Sequence, residues 1–261
     1  AIVHANSIND YSDREIDKVN LQDAKDRPLV TEELSNKEFW LFHFVSGAMA
    51  LLLSVFLGIP AVILTLSIII LDYIYSLKPT RLTDRTFTSP LFLAAWYTYY
   101  PLSLGFWSVN GSGEYPWILS IGIYLAFVAR MLLKDFRDIK GDKQFGKMTF
   151  LLRYGPKTTC LVSALLWLLA FSAAIYALHF APGVLLPLLL GLLHVWLLLN
   201  VLWKTEDRDI QQRIISFIAN AGNFSIVAIF ISLLVQLQPG ISSLEKELIP
   251  AVVGGSLLLF N

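Results

Sequence analysis

Disulfides, surplus charge of either sign and water-compatible surface are all scarce in this chain. Its one cysteine, Cys160, excludes an internal disulfide. Lys and Arg number 20 against 20 Asp and Glu, so the chain lacks the basic field that gathers a nucleic acid. Charged residues are only 15% of the 261, while hydrophobic ones reach 56%. That balance is too apolar for a soluble domain and suits a bilayer.

What is abundant is apolar sequence in runs of spanning length, at about 39–57, 60–77, 90–109, 115–133, 158–181, 183–203 and 214–237. Each is near the roughly 20 residues that cross a hydrocarbon core as a helix. None alternates like a barrel strand, and lipid offers an open backbone no hydrogen-bond partner, so helices are expected. A partial run ends near residue 10 and another starts near 248. Ala1 falls inside the first of these, whose apolar part is too short to span, and one more helix is expected upstream. Tight turns are expected at Gly58-Ile59-Pro60, at Ala181-Pro182-Gly183 and in NGSGEYP, 110–116. The expectation is an all-α, multi-pass integral membrane protein with one domain over 1–261.

The remaining connections, 14–37, 78–88, 134–157 and 204–213, are long and charged. With Arg130 and the flanks they hold 19 of the 20 Lys and Arg. They alternate with the tight turns, so all lie on one membrane face, and a surplus of cations marks that face as cytoplasmic. The same segments carry most of the acids. A mixed, solvated surface would account for that number, but not for the spacing.

In NSINDYSDREIDKVN (6–20), Asn9, Asp13 and Asp17 recur every four residues, one stripe on a helix, with Asp10 beside them. In KDFRDIKGDK (134–143), Asp135, Asp138 and Asp142 form a second stripe, provided the helix persists past Gly141. Like charges one turn apart repel, so packing alone gains nothing from either. Hard divalent cations do take such oxygens, and Mg²⁺ combines one or two carboxylates with a substrate phosphate. Arg14, Lys18, Lys134 and Arg137 are interleaved with the acids, and such bases suit the other oxygens of a metal-bridged phosphate.

NDYSDREID resembles the NDxxDxxxD motif of the UbiA superfamily of intramembrane prenyltransferases. KDFRDIKGDKQFGKMTFLLRYG is similar to its second motif, DxxDxxxGD with a Gly-Lys-x-Thr stretch, though only two residues separate Asp138 from Gly141 here. DRPLV (26–30) and YSLKPTRL (75–82) also look like family landmarks. The resemblance implies about nine helices around a central cavity, the first of them upstream of Ala1. It implies Mg²⁺-dependent transfer of a prenyl group from its diphosphate to a lipophilic or aromatic acceptor. Metal coordination is expected from Asn9, Asp13, Asp17, Asp135, Asp138 and Asp142, with Asp10 behind them. Of these, Asp13, Asp17, Asp138 and Asp142 are the expected catalytic acids. Phosphate contact is expected from Arg14, Lys134 and either Lys78 or Arg81, since some members carry Tyr-x-x-x-Lys where this chain has Tyr75, Lys78 and Arg81. Because the stripes are repulsive, acid-to-amide changes in them are expected to spare the fold.

A membrane alcohol phosphotransferase would want a DG-x-x-A-R element, which the sequence lacks. A cation carrier would place its charges at mid-membrane, where this chain has almost none. Asp72, near the end of an apolar run, reads as a helix-end acid paired to Lys78 or Arg81 ahead of a functional one. Asn220 and Asn223 read as a close helix contact ahead of a pocket lining. His4, His43, His179 and His194 have no metal-ligand spacing, and Trp40, Trp107, Trp117 and Trp203 read as interfacial belts.

The topology is directly testable. Cysteines introduced at Ser35 and Gln144 should react with a membrane-impermeant maleimide from the same side, and labelling from opposite sides would break the one-face arrangement.

Overall fold

A computed structural model of the chain describes residues 2–20, 28–108, 114–179, 182–236 and 242–259. Among these residues there are nine α-helices and no strand: α1 (Ile2–Asn20), α2 (Asn36–Val55), α3 (Ile59–Ser76), α4 (Thr88–Ser108), α5 (Trp117–Gln144), α6 (Phe150–Ala177), α7 (Pro182–Leu202), α8 (Arg208–Gln236) and α9 (Ser243–Leu259). Helices α2, α3, α5, α6, α7 and α8 are long and apolar enough to cross a membrane. Their outward faces carry bare hydrocarbon side chains such as Leu41, Phe44, Leu165 and Leu193, each exposed by about half or more. Only lipid makes such a surface stable, so this is an integral, multi-pass membrane protein.

The helices fall into two compact units. The first comprises Ala1–Phe92, Tyr99–Tyr115 and Asp138–Arg153, with α1, α2 and α3 packed on one another. Ser35 starts α2 with a reciprocal cap: its hydroxyl accepts from the Glu38 N–H, and the Glu38 carboxylate accepts from the Ser35 N–H. Gly58, at φ 96°, turns the chain between α2 and α3, and Pro60 follows in the first turn of α3. The inner face of α1 is unusual for a packed helix: Ile8 and Ile16 are buried, but so are His4, Ser7, Asp13 and Asn20. Gly47 of α2 allows the His4 ring in, since a Cβ there would lie 2.8 Å from His4 Cδ2.

The second unit comprises Leu93–Thr98, Pro116–Arg137 and Tyr154–Asn261. Helices α7, α8 and α9 pack together in it. Small residues set its closest approaches, as lipid-embedded helices require. Gly122 of α5 faces the Ala170 carbonyl and Ala173 Cβ of α6, and Gly222 of α8 lies under the Trp167 ring. Trp203 is flanked by Lys157 and Lys204 at 5.5 and 5.2 Å from its ring, while Trp107 and Trp117 are exposed, as belt positions would be.

Two charged connections are shorter than the sequence implies. α1 persists to Asn20 and α5 to Gln144, so 134–157 has only residues 145–149 outside a helix. All three acids of the second cluster are therefore helical, and Gly141 does not break α5. Charge made these segments look like loop, but a helix tail that has left the hydrocarbon can be fully polar. Helix α6 is itself interrupted at Gly155 (φ 80°, ψ 167°), just before Pro156. Ala181 and most of 110–116 lie outside the described residues.

Glycine 47 and glycine 105 should respond oppositely to a methyl group. Gly47→Ala must displace His4 and should lower the thermal midpoint in detergent, by about 1–3 kcal/mol of stability. Gly105→Ala meets nothing within 4 Å and should be neutral or up to about 1 kcal/mol stabilising through helix propensity.

Candidate active site

The chemistry of the first unit gathers where α5 ends. Gly146, at φ 73°, takes the left-handed conformation that glycine adopts without penalty. The Gly146 N–H bonds the Lys143 carbonyl at 3.4 Å and the Lys147 N–H bonds the Asp142 carbonyl at 2.9 Å, a Schellman closure. That reversal carries Lys147 back toward the helix it has just left. Two residues on, the Thr149 hydroxyl accepts from the Leu152 N–H at 3.4 Å and opens α6. The Gly-Lys-x-Thr stretch is thus a helix stop, a returned cation and a helix start.

Lys147 is 9% exposed, and its ammonium donates to Asp13 Oδ2 at 3.0 Å. It also lies 3.8 Å from Asp142 Oδ1. The other oxygen of Asp13 accepts from the Arg81 guanidinium at 2.7 Å, and Arg81 Nε reaches the Asp84 carboxylate at 3.0 Å. Arg81 holds φ 32° and ψ 66°, a left-handed backbone that costs a non-glycine residue of order 1–3 kcal/mol. The turn that imposes it is anchored on both sides. The Arg81 N–H bonds the Leu77 carbonyl and the Thr80 hydroxyl bonds the Ile74 carbonyl, each at 2.8 Å. The two loops are then tied together, because the Met148 N–H donates to the Asp84 carbonyl and the Thr86 hydroxyl to the Met148 carbonyl. Lys147 and Arg81 reach Asp13 from two loops held in register.

Asn20, at the end of α1, fixes that helix against α5. Its Oδ1 accepts the Gly141 N–H at 2.6 Å. A Cβ on residue 141 would lie 2.6–2.7 Å from the Asn20 amide atoms, so glycine is required there by close approach.

The remaining expected residues divide as follows. Asn9, Asp10 and Asp17 are half-buried on α1; Asp135 and Asp142 are buried on α5, with Asp138 and Lys134 half-buried. Arg81 joins Asp13, whereas Lys78 is exposed. Arg14 turns to Glu32 at 3.5 Å. Asp13 is not part of a merely repulsive stripe, because buried Lys147 and half-buried Arg81 neutralise it; it therefore carries a structural pairing as well.

The donor set of carboxylates with an amide is hard and oxygen-rich, the kind that divalent cations such as Mg²⁺ take. Asp13 already sits against two positive charges, the charge such an ion would bring. Asp13, Asp84 and Asp142 with Arg81 and Lys147 sum to one negative charge, which favours a further cation. Among the described residues no three of His, Cys, Asp and Glu converge on one point as they stand.

Asp72 does not pair with Lys78 or Arg81. It is 4% exposed and faces α1, where its Oδ2 lies 3.2 Å from His4 Nδ1, while Arg81 is engaged by Asp13 and Asp84. The His4 ring stacks on His43 with centroids 3.9 Å apart. His43 bonds Ser7 Oγ through Nδ1 and the Tyr73 hydroxyl through Nε2, both at 2.7 Å. Because the Ser7 hydroxyl donates to the His4 carbonyl, His43 Nδ1 is the donor to Ser7 and Nε2 accepts from Tyr73. Sequence spacing carried no sign of this network; its members meet only through folding. Lys147 did have a signal, the Gly-Lys-x-Thr stretch.

The model of the UbiA prenyltransferase family matches residues 1–234. This chain belongs to the UbiA prenyltransferase family. Among curated relatives, digeranylgeranylglyceryl phosphate synthase of Pyrococcus furiosus is 30% identical over 171 residues, which is 65% of this chain and 58% of that protein. The chloroplastic 2-acyl-4-prenylphloroglucinol 6-prenyltransferase of Humulus lupulus is 28% identical over 187 residues, 66% of this chain and 44% of that protein. The chain thus spans about half the length of these relatives. A solved structure described as digeranylgeranylglyceryl phosphate synthase in membranes shares the fold, with a TM-score of 0.60 and 22% identity over 87% of this chain and 80% of that one.

Lys147 should prove essential to this UbiA-family chain's stability. Lys147→Met strips half the countercharge from a buried carboxylate and should cost about 3–5 kcal/mol, read as a lower thermal midpoint. Gly146→Ala should cost about 1–2 kcal/mol through its left-handed backbone, and Gly146→Asn less, because asparagine tolerates that conformation.

Proposed function

We propose that the full-length protein transfers a prenyl group from an isoprenoid diphosphate to a lipophilic or aromatic acceptor, releasing diphosphate at the cytoplasmic face of the membrane. The observation that carries this reading is the convergence of Asp13 from α1 and Asp142 from α5 on Lys147, with Arg81 completing the cluster. Family membership supports it, and so does the pairing of acids with guanidinium and ammonium groups, the complement of a metal-bridged phosphate.

In this reading Arg81 and Lys147 neutralise Asp13 before substrate arrives and then turn their N–H groups to the diphosphate oxygens. Arg14, Lys78 and Lys134 add positive charge around them. Asn9, Asp13 and Asp17 on α1, with Asp138 and Asp142 on α5, would hold Mg²⁺; Asp135 continues the α5 stripe, and Asp10 supports the first. A hard divalent ion supplies charge stabilisation to a departing diphosphate. The side chains must be placed beforehand, because fixed donors lower the barrier only where charge develops. The two tied loops, the Schellman turn and the Asn20–Gly141 bond perform that placement. The apolar helices keep water from the allylic cation until an acceptor reaches it.

Asp138→Asn and Asp17→Asn in the full-length protein should each lower turnover of labelled geranylgeranyl diphosphate by about 10²–10³, with the thermal midpoint near that of the parent. Asp13→Asn should lose turnover and stability together, because Arg81 and Lys147 lose their counterion. Products from an acceptor panel would be identified by mass. Near-normal turnover in Asp138→Asn would remove the second stripe from the reaction.

A further inference from the structure

The second unit carries a recess that the diphosphate chemistry does not use. It lies among α5, α6, α7 and α8 and encloses about 50 Å³, within about 510 Å³ of free space when the open region at its mouth is included. The space exists because the facing residues are small: Gly122 and Ala126 on α5, Ala170 and Ala174 on α6, Ala219 and Gly222 on α8. Most of the remaining lining is Ile, Leu and Phe, so the bulk of any occupant is apolar.

Four polar side chains break this lining, Trp167, Arg130, Asn223 and Ser225. Trp167 is 3% exposed, and its indole N–H has no hydrogen-bond partner among the described residues. Leaving such a donor unmet costs about 1–3 kcal/mol, and an indole has no other polar use. Arg130 stands within an otherwise apolar stretch of α5, where an ionisable side chain is expensive and retained for function. Asn223 contributes an amide one residue from the Gly222–Trp167 contact and takes the pocket-lining reading, whereas Asn220 is exposed and outside the lining. Ser225 is already bonded to the Ala221 carbonyl at 2.8 Å. The recess therefore has an excess of donors over acceptors and a positive charge.

We propose that this recess binds the anionic, oxygen-bearing head of a lipophilic ligand, a carboxylate or phosphate on an apolar body, held by Arg130 and the Trp167 N–H. An all-hydrocarbon prenyl tail would leave both groups unmet and does not match the site. Arg130 precedes Asp135 by five residues on α5, about 7.5 Å along the axis at 1.5 Å per residue. A head bound there lies within one small molecule's length of Asp135 in the same unit, so the ligand is the acceptor; that last assignment alone rests on the prenyl-transfer reading.

The test measures binding apart from turnover, using full-length protein in phosphatidylcholine nanodiscs. The probes are tritiated 4-octyloxybenzoate, octyl phosphate and the neutral methyl ester of the benzoate. The two anions should bind saturably, and the ester about tenfold or more weakly, the scale of one charge-assisted bond. Arg130→Gln should erase the difference between acid and ester, and Arg130→Lys should restore part of it. Trp167→Phe keeps an aromatic ring but removes the N–H, and should weaken the anions more than the ester. Asp138→Asn should leave binding unchanged, so a failure of the prenyl-transfer reading would appear separately, as bound anion that is never prenylated. Equal binding of acid and ester, or an unaltered preference in Arg130→Gln, would overturn the site. Displacement of the probes by phosphatidylglycerol in the nanodisc, with no effect of added acceptors, would assign it to a lipid headgroup and overturn the acceptor assignment.

Discussion

A carboxylate taken out of water must be answered by positive charge, and Asp13 is where this chain meets that demand. Its two oxygens are shared between Arg81 and Lys147, and both cations arrive only because of backbone arranged elsewhere. Lys147 needs the left-handed glycine before it. Arg81 needs a backbone conformation that its own side chain disfavours. Loop 78–88 and residues 145–149 need each other's main-chain bonds. One desolvated anion on α1 therefore organises three separate stretches of chain.

The second organising device is the polar seam of His4, Ser7, His43, Asp72 and Tyr73. Within lipid, apolar side chains gain little by leaving hydrocarbon for protein, so close packing and interhelical hydrogen bonds determine which helix meets which. α1 is rather polar, with few large apolar residues to bury. Its place beside α2 and α3 rests on this seam and on the glycine that admits the His4 ring. The acidic residues further along α1 inherit their direction from that placement.

The spans were legible because a bilayer imposes length and apolarity on any helix that crosses it, and α2, α3, α4, α6, α7 and α8 fall close to the apolar runs. The helical tail of α5 was harder to read. Asp135 to Lys143 are mixed in charge, and a helix outside the hydrocarbon has the composition of a loop. The regular spacing of Asn9, Asp13 and Asp17 was visible as one face of a helix, yet spacing cannot disclose what an acid bonds to. Asp72 illustrates the difference: Lys78 and Arg81 are near in sequence, but the side chain points across to His4. Contacts set by the tertiary path, such as Arg81 with Asp13, have no local pattern from which to infer them.

The contact between Asn20 and Gly141 has a consequence for how this sequence can drift. At 2.6 Å the two positions behave as a lock with one key. Any side chain at 141 evicts the amide, and a larger residue at 20 collides with the α5 backbone. Neither can vary alone without cost, so lineages should either keep the pair or exchange both members together. Two residues far apart along the chain would then leave a shared imprint in descendants, marking the contact between α1 and α5 in sequences whose structures have never been seen.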